Sequence, residues 1–357
     1  MNCKNSVLLG LSGGVDSAYS AYLLKNQGYD VTGIFLKMYD SADATNAEAA
    51  ARNLNIPFIT EDCRKDFENC VAKYFMDEYS NGRTPNPCVV CNRYIKIAKL
   101  IEFADNLGID YISTGHYVKI KQNNITGKYY ICRAKDERKD QSYFLWKLTD
   151  NQLSRFIPPL SIYDKEYIKD DALKQSILAH KLDESQEICF IPDNDYKSYI
   201  ETHRGKFPDG NFIGKDGDIL GTHKGIIYYT VGQRKKLGIA LGVPYVVTEI
   251  NAIDNTVRIE PVDRENGNGF RDSFRINSLN FGYISKCDLY DMRCEKFYVK
   301  IRYAAKFISC TVEIIGDDNA VVYLDEAAKA ITPGQSCVIY TQDGDSEWCV
   351  AFGGVIE

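Results

Sequence analysis

Apolar and polar positions along the first third of the chain follow two periods. Residues 6–10, 31–36, 57–60 and 111–113 are short apolar runs of the length of buried strands. Between them, residues 16–27, 44–54, 64–79 and 92–107 repeat apolar positions at helical spacing, which predicts helices with one buried stripe. Strand and helix in alternation predict a parallel sheet flanked by helices. Gly28 and Gly108 stand where a left-handed residue closes the first and fourth helices. Beyond about residue 195 the texture changes. Turns at Asp209-Gly210, Asp216-Gly217 and Gly221 separate the short segments 225–231, 245–250 and 256–259. From about residue 265, evenly spaced strands are predicted at 297–303, 310–315, 320–324, 336–340 and 348–355, the pattern of a small β-barrel. The predicted organisation is an α/β parallel-sheet domain over 1–195, a small β-rich central domain over 196–264 and a β-barrel domain over 265–357.

Composition fits that division. The 357 residues are 45% hydrophobic and 26% charged, enough for two or three ordinary cores. No apolar run has the length needed to cross a bilayer, and the start of the chain leads directly into a strand without a signal or transit pattern. A cytoplasmic location is therefore expected. Twelve cysteines in a chain of this size, without an export signal, suggest reduced thiols rather than a disulfide scaffold. Nine of them (Cys3, Cys63, Cys70, Cys132, Cys287, Cys294, Cys310, Cys337 and Cys349) read as small buried residues. The net charge of −6 argues against a general polyanion binder, so a nucleic-acid partner would have to meet local basic patches. Three candidates are Arg93, Lys96 and Lys99; Gln233-Arg234-Lys235-Lys236; and the run Arg293, Lys296, Lys300, Arg302 and Lys306.

Two groups of residues carry candidate chemistry. Ser12-Gly13-Gly14-Val15-Asp16-Ser17 follows a strand and opens a helix, where glycines admit a phosphate and free N–H groups bind it. The Walker and dinucleotide fingerprints are both absent. Asp16 would be repelled by bare phosphate and is assigned to a magnesium ion or a helix cap. Cys88 and Cys91 form a C-x-x-C before a helix predicted to begin near Asn92, where the helix dipole, Arg93 and Lys96 would lower a thiol's pKa. A zinc site would need two further ligands at the usual spacing, which the sequence lacks. A redox pair would leave the phosphate loop without a role. Cys189, by itself, reads as a core thiol.

Together these motifs resemble the PP-loop ATP pyrophosphatases and, nearly end to end, the tRNA-specific 2-thiouridylases. The resemblance runs through residues 10–17, Gly82-Arg83-Thr84-Pro85-Asn86-Pro87, Cys91-Asn92, Thr114-Gly115-His116-Tyr117, residues 139–145, Ile188-Cys189-Phe190, Gly232-Gln233-Arg234-Lys235 and Thr332-Pro333-Gly334-Gln335. It implies ATP-dependent thiolation of the anticodon wobble uridine of tRNA, with Mg2+. It places ATP at Gly10, Leu11, Ser12, Gly13, Gly14, Val15, Asp16, Ser17, Leu36 and Gly115, and the target base at Asn86, Pro87 and Cys88. Contacts to tRNA would come from His116, Lys139, Asp140, Gln141, Arg302, Tyr303 and Gln335. Cys91 corresponds to the nucleophile and Cys189 to the persulfide carrier, joined by a disulfide during sulfur release. A cysteine desulfurase or sulfur-relay protein is the implied sulfur donor. Many members of the family carry Asp where this chain has Cys88. With it, Cys88, Cys91 and Cys189 also make a ligand set for three irons of a 4Fe–4S cluster, so persulfide relay and cluster-bound sulfide both stay open. The rival readings are an amide-forming PP-loop synthetase and a non-catalytic nucleotide or iron–sulfur binding protein.

Overall fold

Strands β1 (Ser6–Gly10), β2 (Asp30–Lys37), β3 (Phe58–Asp62) and β4 (Tyr111–Ser113) lie parallel at the centre of the N-terminal domain in the computed structural model. Residues 5–175, 177, 188–262, 270–291 and 296–357 are described. Val7, Leu8 and Leu9 are fully buried because both faces of the sheet are covered, which is why β1 reads as an unbroken apolar run. Val7 and Leu9 pack toward α1 (Val15–Asn26) and α2 (Thr45–Leu54), while Leu8 packs on the opposite side. That side is covered by α4 (residues 87–107), through Ile97, Leu100 and Ala104; α3 (residues 64–80) precedes it in the chain.

After β4, a hairpin of β5 (Lys119–Gln122) and β6 (Tyr129–Cys132) leaves this sheet, and β7 (Phe156–Ile157) returns to complete the order β3-β2-β1-β4-β7. The central domain holds β8 (Gly210–Ile213), β9 (Ile219–His223), β10 (Tyr245–Asn251) and β11 (Thr256–Pro261) in one sheet. The last domain contains β12 (Phe270–Phe281), β13 (Phe297–Lys300), β14 (Ile308–Ile315), β15 (Asn319–Lys329), β16 (Ser336–Gln342) and β17 (Trp348–Ile356). Pairing of β12 with both β15 and β17 closes these six antiparallel strands into a barrel. The α/β class and terminal barrel agree with the sequence pattern. The β5–β6 hairpin, which joins the barrel through Cys132 opposite Cys349, was not predicted, and neither was β12.

The barrel also fixes the start of α4. Gln335 Nε2 donates to the carbonyls of Thr84 and Pro85 at 3.0 Å each, and the Thr84 N–H donates to the Pro333 carbonyl at 2.8 Å. Gly334 has φ +89°, and a Cβ there would stand 2.8 Å from the Thr84 oxygen. Arg83 pairs with Glu78 at 2.9 Å and donates to the Ile356 carbonyl at 3.1 Å. So anchored, the chain turns helical at Pro87, whose fixed φ suits a first helical residue, rather than near Asn92 as predicted. Between Asn92 and Ile97 the helix widens to i→i+5 turns.

Several cysteine expectations change with the fold. Cys63, Cys132, Cys310, Cys337 and Cys349 are buried and Cys70 is partly so, but Cys287 is exposed near the start of the short helix Lys286–Asp291. Cys3, Arg293 and Cys294 lie outside the described residues. No helix among the described residues is long and apolar enough to cross a membrane.

One close joint between the N-terminal domain and the barrel is at Trp146. Its indole N–H donates to Ser336 Oγ at 3.0 Å, and a Cβ added to Gly353 would stand 2.5 Å from its ring. Gly353→Ala is therefore expected to overpack this joint and destabilise the protein by about 1–3 kcal/mol. A lowered urea midpoint at unchanged slope is the expected reading.

Candidate active site

The loop between β1 and α1 is shaped by its own serines. Ser17 Oγ donates to the Gly14 carbonyl at 3.0 Å and accepts from the Ser12 N–H at 3.2 Å, while Ser12 Oγ accepts from the Gly14 N–H at 3.4 Å. Gly13 sits at φ +85°, and a Cβ there would come within 2.7 Å of Asn46, so α2 can close against the loop only if this residue is glycine. Gly115 meets the start of α1 in the same way, a Cβ at its position lying 2.7 Å from the Ser17 nitrogen. The cleft above the loop has a volume of about 380 Å³. Gly10, Leu11, Ser12, Gly14, Asp16, Ser17, Leu36 and Gly115 all line it, whereas Gly13 abuts Asn46 and Val15 packs against the core.

Asp16 caps nothing: the α1 N-terminus has no side-chain cap. Its carboxylate instead receives the Lys165 ammonium at 2.6 Å on both oxygens and the Tyr117 hydroxyl at 2.7 Å. Lys165, at the start of α5 (Lys165–Lys174), is only 2% exposed. A buried ammonium needs such a partner, so this pair locks the phosphate loop to the far side of the domain. Asp16 still borders the cleft, and Asp43 lines it too. These two carboxylates have the hard-oxygen chemistry that a phosphate-bound magnesium ion requires. Nothing in the sequence marked Lys165 as the partner, because a lysine opening a helix ordinarily faces water.

Behind Met38, Tyr39 and Lys96, which line the cleft, the fold gathers the three singled-out cysteines. Because α4 begins at Pro87, Cys88 occupies the helix N-terminus and is exposed, while Cys91 lies a turn further in and is buried. Burial pushes the Cys91 thiol up to about 12, against the pull of Lys96, with Cys189 and Cys88 adding to the rise. The expected lowering by the helix terminus therefore fails at Cys91, since desolvation outweighs the dipole one turn inside. Cys88 is also raised, by desolvation and by Cys189, again opposed by Lys96. Cys189, exposed, arrives from the distant segment before α6 (Tyr196–Arg204). Tyr39, at the end of β2, is pushed up to about 12 by burial and by Cys189, to which it hydrogen-bonds. Cys91 Sγ touches the sulfur of Met38 at 3.9 Å. Tyr39 and Met38 line the same cleft as the phosphate loop and were not singled out from the sequence.

The residues assigned to tRNA divide into two sets. His116 and Gln141 lie inside the cleft. The His116 imidazole shares a 2.7 Å hydrogen bond with Thr114 and is held down to about 3 by burial and the Lys96 charge, so it is neutral. Gln141 Oε1 accepts from the Tyr117 N–H at 2.9 Å. Asp140 is buried and accepts from Ala134 N, Ser142 N and Ser142 Oγ; burial raises its pKa. Gln335 is likewise committed to Thr84 and Pro85. Asn86 lines a separate cavity with Tyr74, Trp146 and Ser336, Pro87 is buried, and Lys139 is partly exposed. The Tyr303 ring packs at a tilt against Phe144, centroids 4.6 Å apart. Arg302 is exposed and lines a cavity of about 340 Å³ with Arg234, Arg271 and Lys329. Elsewhere the basic patches are partly neutralised, Lys99 by Asp66 and Glu102, and Lys296 by Asp325.

Comparison with known proteins matches this architecture domain by domain. Residues 5–193 match the family model described as the tRNA methyl transferase HUP domain, 197–261 the tRNA methyl transferase PRC-barrel domain, and 271–350 the aminomethyltransferase beta-barrel domain. Over 371 aligned residues the chain is 40% identical to a tRNA-specific 2-thiouridylase of Clostridioides difficile, covering 100% of this chain and 99% of that one. It is 40% identical to the corresponding protein of Clostridium perfringens and 41% identical to one from Clostridium botulinum, in each case over 99% of both chains. The chain therefore belongs to the tRNA-specific 2-thiouridylase family.

Proposed function

We propose that this protein thiolates the wobble uridine of tRNA at C2, using ATP to activate the carbonyl oxygen. The observation that carries this reading is a juxtaposition: Met38, Tyr39 and Lys96, which line the cleft of the phosphate-binding loop, are the same residues that meet Cys91, Cys189 and Cys88. An amide-forming synthetase would need an ammonia source and would leave the thiols idle. A carbonyl oxygen is a poor leaving group, so it first attacks the α-phosphate of ATP, expelling pyrophosphate. Hydrosulfide then adds at C2 and AMP departs with the former uridine oxygen. Magnesium beside Asp16 and Asp43 would screen the phosphate charge as pyrophosphate leaves.

Sulfur reaches the base in one of two ways. In the relay, the Cys91 thiolate attacks the inner sulfur of a Cys189 persulfide, forming a Cys91–Cys189 disulfide and releasing hydrosulfide. A dithiol reductant then restores both thiols. The persulfide itself would be loaded by a cysteine desulfurase or a relay protein acting on Cys189, which is exposed and reachable. In the alternative, Cys88, Cys91 and Cys189 hold three irons of a 4Fe–4S cluster, a group that would supply an open iron to carry sulfide. Three thiols near enough to act on one another, with a cation beside them, suit that donor set.

Arg234, Arg271, Arg302 and Lys329 form a second basic surface, between the central domain and the barrel, suited to the phosphate backbone of tRNA.

The direct experiment is mass spectrometry of nucleosides from unmodified tRNA incubated with the protein, ATP, magnesium, and a cysteine desulfurase with cysteine and a dithiol reductant as the sulfur source. 2-Thiouridine is expected only when ATP is present; its absence from the complete mixture overturns the reading. Cys91→Ser is expected to reduce product to background while nucleotide binding, measured by calorimetry, changes less than about threefold. The double change Arg271→Glu with Lys329→Glu should weaken tRNA binding and flatten the plot of log affinity against log salt by about 1–2 in slope.

A further inference from the structure

Lys96 is the charged residue of the cleft that neither half of the proposed reaction has used. It lines the cleft together with Ser17, Gly115 and His116. Among the described residues it has no hydrogen-bond or ion-pair partner, unlike Lys99 one turn later and Lys165 across the cleft. Its position follows from the backbone. In an ordinary α-helix, residue i+5 points well away from residue i, so Lys96 would be turned from Cys91. The i→i+5 turns between Asn92 and Ile97 widen the helix at this point and bring Lys96 back over the face that carries Cys88 and Cys91. Wide turns of this kind cost helix regularity and are frequent at functional sites; another runs through Glu68–Ala72 in α3. Cys189 approaches the same ammonium from its own segment, so the Lys96 charge acts on all three thiols.

An ammonium with no paired anion, set beside three thiols, lacks a counter-ion, and the sulfur chemistry makes one once Cys91 has given up its proton to solvent. When the Cys91 thiolate displaces hydrosulfide from the Cys189 persulfide, one negative charge passes from Cys91 to the released sulfur. When hydrosulfide adds to C2, that charge passes on to the departing AMP, and the S–H proton goes to solvent. At every stage the anion is within the field of Lys96, and in a desolvated cleft a fixed cation stabilises it far more than in water.

We propose that Lys96 is a catalytic residue of the sulfur-transfer half-reaction, its ammonium serving as counter-ion to the sulfur anion that forms among Cys88, Cys91 and Cys189. This rests on the thiolation reading above, and it holds for either route of sulfur delivery because both pass sulfur to the base as an anion. The role is separate from adenylation, which takes place at the phosphate loop.

The test compares Lys96→Met and Lys96→Arg with the wild-type protein in two assays on the same tRNA. One follows tRNA-dependent pyrophosphate release, the other 2-thiouridine formation. Lys96→Met is expected to release pyrophosphate within about threefold of wild type but to form 2-thiouridine about 10²-fold more slowly. Lys96→Arg, which keeps the charge, is expected to recover most of that loss. A urea denaturation midpoint for each variant separates loss of function from loss of fold. The proposal is overturned if Lys96→Met thiolates at the wild-type rate, if pyrophosphate release falls in parallel with thiolation, or if Lys96→Arg is as impaired as Lys96→Met. A wild-type protein that forms no 2-thiouridine at all overturns the thiolation reading and this proposal with it.

Discussion

Two hydrogen bonds from one side-chain amide, Gln335 to the carbonyls of Thr84 and Pro85, set the place where α4 begins. They come from the barrel, yet what they position belongs to the N-terminal domain: Cys88, Cys91 and Lys96 in the first turns of α4. With the Pro333–Thr84 backbone bond and the close approach of Gly334, they leave the segment before Pro87 little freedom. Each such bond contributes about 1 kcal/mol net, but here the consequence is positional. If the helix began a few residues later, Cys91 would sit at its terminus in solvent and Lys96 would point elsewhere. The barrel is thus part of the catalytic architecture and not merely a module appended to it.

A second constraint is electrostatic. The cleft holds charged groups that are paired at one end and unpaired at the other. Asp16 is fixed by the Lys165–Tyr117 pair, which gives the phosphate loop a rigid back wall. At the thiol end, burial keeps Cys91 protonated and His116 neutral, leaving Lys96 as the isolated charge. A site arranged this way is quiet until an anion forms in it. That suits a reaction whose sulfur must be withheld until the uridine has been activated.

Much of the fold was legible in the pattern of apolar positions. The β1 and β4 boundaries and the phosphate loop were readable because buried parallel strands are unbroken apolar runs and the loop needs glycines where a side chain would clash. The start of α4 was not, since Pro87 and Cys88 carry no apolar periodicity and the anchoring Gln335 lies in another domain. The β5–β6 hairpin was missed for a related reason: Lys119 and Lys121 sit on it, and their partners Glu347 and Asp343 come from the barrel. In the site, residue types identified Cys88 and Cys91 as candidates, while bringing in Cys189 required tertiary structure. The hydrogen bonds that Asp140 makes to Ala134 and Ser142, and Gln335 to Thr84 and Pro85, leave no mark in the sequence, because their partners are set by the folded backbone. The i→i+5 turn after Cys91 leaves no mark on the hydrophobic pattern, so the orientation of Lys96 was invisible.

The central claim is that the uridine oxygen itself becomes the leaving group, carried off on AMP. It can be tested by following that atom. Unmodified tRNA carrying 18O at uridine O2, turned over with ATP and sulfide, should give 2-thiouridine and an equal amount of AMP bearing the label on its phosphate. Label recovered in water or in pyrophosphate, with AMP unlabelled, would contradict the account.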